Sequence, residues 1–237
     1  MTKTVPLRVM AVFAHPDDPE FFCGATFARW AHEGAQITFV LATSGDKGSG
    51  EPDMTPQKLT LIREAEERRA AAVLGVQAVV FLRYSDGELY PTLDLRKDIV
   101  RQIRLHTPEI VVTNDPNVYW FGNRSVNHAD HRAIGAATLD AVFPAAGNPM
   151  YFPELHQTEG LQPHSVKHIY LVRSAAPTVK VDVTAFVETK ILALSEHKSQ
   201  IYDMNALAVR MRSYVDPESP PGSPRYTDSF HVISFER

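Results

Sequence analysis

Five consecutive apolar residues, Val9, Met10, Ala11, Val12 and Phe13, run directly into Ala14, His15, Pro16, Asp17 and Asp18. An unbroken apolar run of that length suits a strand buried on both faces of a parallel sheet. Pro16 has no N–H to give to a ladder and biases His15 toward extended backbone, so the chain leaves the sheet there carrying an imidazole and two carboxylates. Beyond this point the pattern predicts a helix over 21–32 with Gly34 as its stop, a strand over 36–42, and a helix from Pro56, behind a Thr55 cap, to Gly75. A strand over 78–82, a helix over 93–106 and a strand over 110–113 follow. A helical run ending near Phe143 comes next, then strands over 166–172 and 179–183, helices over 186–198 and 205–214, and an edge strand over 230–235. The alternation argues for right-handed crossovers and an α/β fold, a Rossmann-like three-layer sandwich with a mostly parallel sheet and its ligand crevice at the carboxyl ends of the strands. Residues 144–163 have no clear period and 216–224 carry four prolines and a glycine, so 144–163 and 214–229 are expected as loops that cover a pocket.

At 237 residues the chain is long enough for one large core, and a single domain over 1–237 is expected. A net charge of -4, dispersed along the chain, provides no basic field for nucleic acid. The one cysteine, Cys23, rules out an intramolecular disulfide and is expected in the core. With no apolar stretch long enough to span a bilayer or to act as a signal segment, no membrane insertion is expected, and a soluble, cytoplasmic setting is the default.

The chemistry concentrates in two clusters that each follow a predicted strand: His15, Asp17, Asp18, and then Asn127, His128, Asp130, His131. Two imidazoles and one carboxylate are a common catalytic zinc set, because three protein ligands leave one position for a water that the metal acidifies. His15, Asp18 and His131 can supply that set if both strand ends meet at one rim of the sheet. His128 and His131 share a helix face if the helix has begun there. Asp17 is then free beside the metal as a general base. Plainer readings compete: the aspartate pair as a turn or helix cap, and His128 or His131 as helix-surface residues. By composition, Arg63 and Glu66 belong to a solvated helix face, Asp86 with Gly87 is turn chemistry, and His197 has a surface or capping role. The stretch 43–50 is either a flexible surface loop or a glycine loop that lets backbone approach a ligand.

Taken in order, AHPDDPE at 14–20, TSGDKGS at 43–49, IREAEERRAAAVLGV at 62–76, SDGEL at 85–89, NHADHR at 127–132 and HKSQ at 197–200 resemble the PIG-L/LmbE-like family of zinc-dependent N-acetylglucosaminyl deacetylases. The common form of the first motif is HPDDE; here Pro19 stands before Glu20, while His15, Asp17 and Asp18 keep their spacing. The resemblance implies His15, Asp18 and His131 as ligands of Zn2+ or another divalent transition metal, and Asp17 as general base. It implies His128 at the oxyanion with Asp130 orienting or charging it, Arg63 and Asp86 at the sugar, and a structural pairing for Glu66. The implied reaction removes an N-acetyl group from a small N-acetylglucosamine-type sugar or conjugate, releasing acetate and a free amine. Relatives are often homo-oligomers, trimers or hexamers among them. A metallohydrolase of another amide or ester, and a non-catalytic α/β protein that binds a sugar or nucleotide, are the competing readings.

Overall fold

The computed structural model describes residues 7–235. Its centre is a seven-stranded sheet built on β1 (Arg8–Phe13). On one side β1 pairs in parallel with β2 (Gln36–Thr43), and β2 with β3 (Ala78–Tyr84). On the other side lie β4 (Ile110–Asn114) and β7 (His168–Val172), again parallel. With β9 (Thr227–Ser234) and then β8 (Val179–Asp182) beyond β7, the sheet order β3-β2-β1-β4-β7-β9-β8 reverses direction at the β1/β4 boundary. Such a switch point leaves a crevice at the carboxyl ends of the two strands.

The two faces of β1 seed two cores. Met10, Val12 and Ala14 pack with α3 (Leu93–His106) and α4 (Ala129–Asp140), through Leu95, Ile99, Ile103, Ile134 and Ala137. Val9, Ala11 and Phe13 pack with α1 (Asp18–His32), α2 (Pro56–Val73) and α6 (Val187–Leu194), through Phe27, Ala70 and Ala193. Period-2 alternation thus sends successive β1 side chains into opposite layers, which is why the strand reads as continuously apolar. Each large side chain so buried, Phe39 or Ile99 for example, contributes about 1.5–3 kcal/mol. Cys23 lies in the second core, as expected. No helix among the described residues is long and apolar enough to cross a membrane.

Several expectations are corrected. The last strand, β9 (Thr227–Ser234), is not an edge: it lies antiparallel between β7 and β8 (Val179–Asp182), and β8 is the edge. The helix expected over 186–198 stops at Leu194, because residues 195–200 turn to carry His197 inward and Ser199 onto Glu66. α1 starts earlier than residue 21, at Asp18, since Pro19 is tolerated in a first helical turn and Asp18 and Glu20 suit its positive end.

The stretch 144–163 contains the short helix α5 (Pro153–Gln157) and folds around Arg104, whose buried guanidinium donates to the carbonyls of Ala145, Ala146, Asn148 and Tyr151. His164 bonds to Pro108 O, just before β4, so this stretch packs at the amino ends of the strands. The cleft that Phe143, Pro144 and Asn148 line is there too, on the rim opposite His15. Carbonyls gathered by one arginine leave no apolar period for a sequence pattern to register.

Candidate active site

Past Phe13 the chain turns once and enters α1. Asp17 caps the helix with φ 91, a left-handed conformation that costs a non-glycine residue about 1 kcal/mol or more. Two contacts hold it there. Its N–H donates to Glu67 Oε2 at 3.0 Å, and its Oδ2 accepts from Arg63 Nη2 at 3.2 Å. The turn sends the two neighbouring carboxylates apart, with Asp18 bonded to the His15 N–H at 2.9 Å and set 3.0 Å from His131 Nε2.

The second cluster arrives on the other side of the switch point. After β4 the chain forms a small hairpin, β5 (Trp120–Phe121) and β6 (Ser125–Val126), and then α4, whose cap is His128. Gly135 lets α4 close on the sheet: a Cβ there would lie 2.4 Å from Asn114 O. The result is a triangle of imidazoles, with ring centroids 4.8 Å apart for His15 and His128 and 5.3 Å for His15 and His131 and for His128 and His131. The two strand ends do meet, and His15, Asp18 and His131 each offer a ligand atom within 4.8 Å of the others.

Neighbouring groups set each ring. His15 Nε2 faces Asp86 Oδ1 at 3.1 Å and Asp130 Oδ2 at 3.3 Å, which requires Nε2–H and leaves Nδ1, 3.3 Å from Asp18 Oδ2, toward the centre. The Asn127 amide gives its NH2 to Val118 O, so its Oδ1, 3.2 Å from His131 Nδ1, accepts a hydrogen bond from Nδ1–H and leaves Nε2 facing Asp18 Oδ1 at 3.0 Å. His128 Nδ1 accepts the N–H of Asp130, which leaves its proton on Nε2. Carboxylate or carbonyl partners on the far nitrogen are what orient metal-ligating histidines. The donor set of two imidazoles and one carboxylate fits a divalent transition metal.

Burial and neighbouring charge shift each of these groups. Burial pulls the His15 imidazole down, but the charge of Asp18 and bonds to Asp130, Asp18 and Asp86 lift it to about 12 in the metal-free protein. Asp18 is buried, yet His131 and His15 hold its carboxyl far below the usual range. Asp17 moves the other way: burial raises it to about 6 against the opposing charge of Arg63. His128 is lowered by burial and by nearby His15.

Some expected roles shift. Asp130 is fully buried; its N–H donates to the His128 ring and its charge acts on that imidazole, while its carboxylate accepts from Gly87 and Leu89 N–H and from His15. Asp86 also faces His15 and is held by the Lys47 N–H. Arg63, Glu64, Glu66 and Glu67 are not on a solvated face but buried. Arg63 donates to Gly45 O and Pro16 O as well as to Asp17, so its contacts are with the protein beneath the 43–50 loop. That loop is thereby ordered: a Cβ on Gly45 (φ +65) would collide with the Arg63 guanidinium, and Ser44 donates to Glu64. Glu66 pairs with Ser199, as the structural reading expects.

His197 is wholly buried with Glu20 and Glu67, a cluster missed from sequence because its members come from three distant segments. Asn127 stands in the second sequence cluster without a role; the structure places its side-chain oxygen 3.2 Å from His131 Nδ1. A cleft of about 500 Å3 opens over Asp18 and His131, walled by Phe22, Arg173, Arg210 and Tyr214.

Residues 10–142, more than half of the chain, match the family model described as PIG-L, GlcNAc-PI de-N-acetylase. A diacetylchitobiose deacetylase of Thermococcus kodakarensis is 33% identical over 81% of this chain and 70% of its own length. A 1D-myo-inositol 2-acetamido-2-deoxy-alpha-D-glucopyranoside deacetylase of Rhodococcus erythropolis is 29% identical over 82% of this chain and 81% of its own. Among solved structures, the N,N'-diacetylchitobiose deacetylase from Pyrococcus horikoshii, complexed with its inhibitor MPG, superposes with a TM-score of 0.84 at 28% identity, covering 96% of this chain and 84% of that one.

Proposed function

The chain belongs to the PIG-L, GlcNAc-PI de-N-acetylase, family, and from that premise we propose that it is a zinc-dependent N-deacetylase of N-acetylglucosamine-type sugars or conjugates. The observation that carries this reading is the convergence of His15 Nδ1, Asp18 and His131 Nε2 with Asp17 beside them. Zn2+, or another divalent transition metal, bound by those three residues would polarise the amide carbonyl and acidify a water. Asp17 takes a proton as the water attacks the acetyl carbon; a carboxyl lifted to about 6 by burial can both accept and return a proton near neutrality. Arg63 holds one carboxylate oxygen of Asp17, fixing the direction of the other. His128 presents Nε2–H to the carbonyl oxygen as negative charge builds on it, and its lowered basicity suits a neutral donor. Asp17 returns its proton to the amine as the C–N bond breaks, leaving acetate and an amino sugar. Asp130 and Asp86 act through His15, which they orient, and Arg63 acts through Asp17. The aglycone would lie against Phe22, Tyr214, Arg173 and Arg210.

Acetate release from a panel of N-acetylated sugars, N,N'-diacetylchitobiose included, tests the reading, with metal content measured in parallel. Asp17→Asn should keep its metal and lose about 10²–10⁴-fold in rate, whereas His131→Ala should lose active-site metal. Full activity in Asp17→Asn would remove Asp17 as base, and no acetate from any sugar would overturn the deacetylase reading.

A further inference from the structure

We propose that Glu20, Glu67 and His197 form a second divalent-cation site, buried behind the active-site cluster and structural in purpose. The three come from the first turns of α1, from α2 and from the turn after α6. All are 0% exposed. Among the described residues, neither oxygen of Glu20, nor Glu67 Oε1, nor either ring nitrogen of His197 has a hydrogen-bond partner. Five polar atoms without one, gathered in the interior, are a heavy cost unless something else satisfies them.

The spacing indicates what that is. His197 Nε2 lies 3.5 Å from Glu20 Oε2 and 3.8 Å from Glu67 Oε2, and the three residues offer ligand atoms all within 4.8 Å of one another. Hydrogen bonds between such groups close to about 2.7–3.2 Å. Metal bonds of about 2.0–2.2 Å at a tetrahedral angle set neighbouring ligand atoms about 3.4 Å apart. Among the described residues, the partner within ion-pair distance of either glutamate is His197. Two carboxylates and an imidazole select a first-row cation such as Zn2+.

Such an ion would tie α1, α2 and the turn after α6 together at the base of the site. It would also fix Glu67, whose Oε2 accepts the Asp17 N–H and so helps hold the left-handed turn. The proposal does not depend on the deacetylase reading, because its test counts ions rather than turnover.

The protein is stripped with chelator, reloaded with Zn2+ alone, desalted and analysed for metal. Two ions per wild-type chain and one per His131→Ala chain are expected, together with a lower melting temperature for His131→Ala when chelator is present. X-ray absorption on the remaining ion should show one imidazole. Adding Glu67→Gln to His131→Ala should remove it. A metal-free His131→Ala chain overturns the proposal, as does a remaining ion with two or more imidazoles, or one that persists in the double variant. The His131→Ala measurement leaves the buried cluster unaltered, so it stands even if the Glu67 variant fails to fold.

Discussion

Arg63 and Asp17 face each other across the base of the site, Nη2 to Oδ2 at 3.2 Å, with the guanidinium 5% and the carboxylate 16% exposed. The arginine both aims the carboxylate and opposes the burial that lifts its pKa. Arg63→Ala is therefore expected to lower kcat/KM by about 10²-fold or more. It should also move the acidic limb of the pH–rate profile upward, since Asp17 loses the charge that favours its ionised form. Steady-state acetate assays across pH check both; an unchanged limb would dissociate Arg63 from the base.

Asn127 sets the His131 ring without being a ligand itself. Asn127→Leu should weaken active-site metal binding by about 10–100-fold, with the melting temperature in chelator little changed. Competitive Zn2+ titration against a chromophoric chelator measures the loss.

At Gly135 the contact is steric. Gly135→Ala places a Cβ 2.4 Å from Asn114 O, so α4 must move off β4. Overpacking of this kind costs about 1–3 kcal/mol, which in a chain of this size is about 2–4 °C in Tm per kcal/mol. Because α4 carries His131, thermal melts should show the loss and metal titrations a weaker site.

Glu64 ties the 43–50 loop to α2 through Ser44 and binds Arg83 and Arg68. Burial alone would raise its carboxyl, but Arg83, Ser44 and Arg68 hold it below the ordinary value. A folded-state pKa below the unfolded one gives stability that is present above the unfolded value and lost as pH falls through the folded one. Glu64→Gln should thus cost about 1–2 kcal/mol near neutrality and progressively less in acid. Urea unfolding of both proteins across pH decides it.

Much of this was legible in the chain. The continuous apolar run of β1, the Thr55–Pro56 start of α2 and the limits of α3 follow from local rules, and they place His15 and His131 at strand and helix ends that share a rim. What escaped is set by distant contacts. The charges of α2 read as solvated because periodicity registers polarity and not burial; only the loop from β2 and the turn of β1 show that Arg63 and Glu64 point inward to partners. β9 looked like an edge because nothing in residues 227–234 announces that β8 will pair beyond it.

The reversal of strand order between β1 and β4 has a kinetic consequence. As the chain emerges during synthesis, His15 and Asp18 are made long before His131, so the proposed metal site would be complete only once α4 docks. Ion capture at that proposed site would reward the last closure of that half of the sheet, and a Zn2+-loaded chain should unfold from a state whose two halves are clasped together.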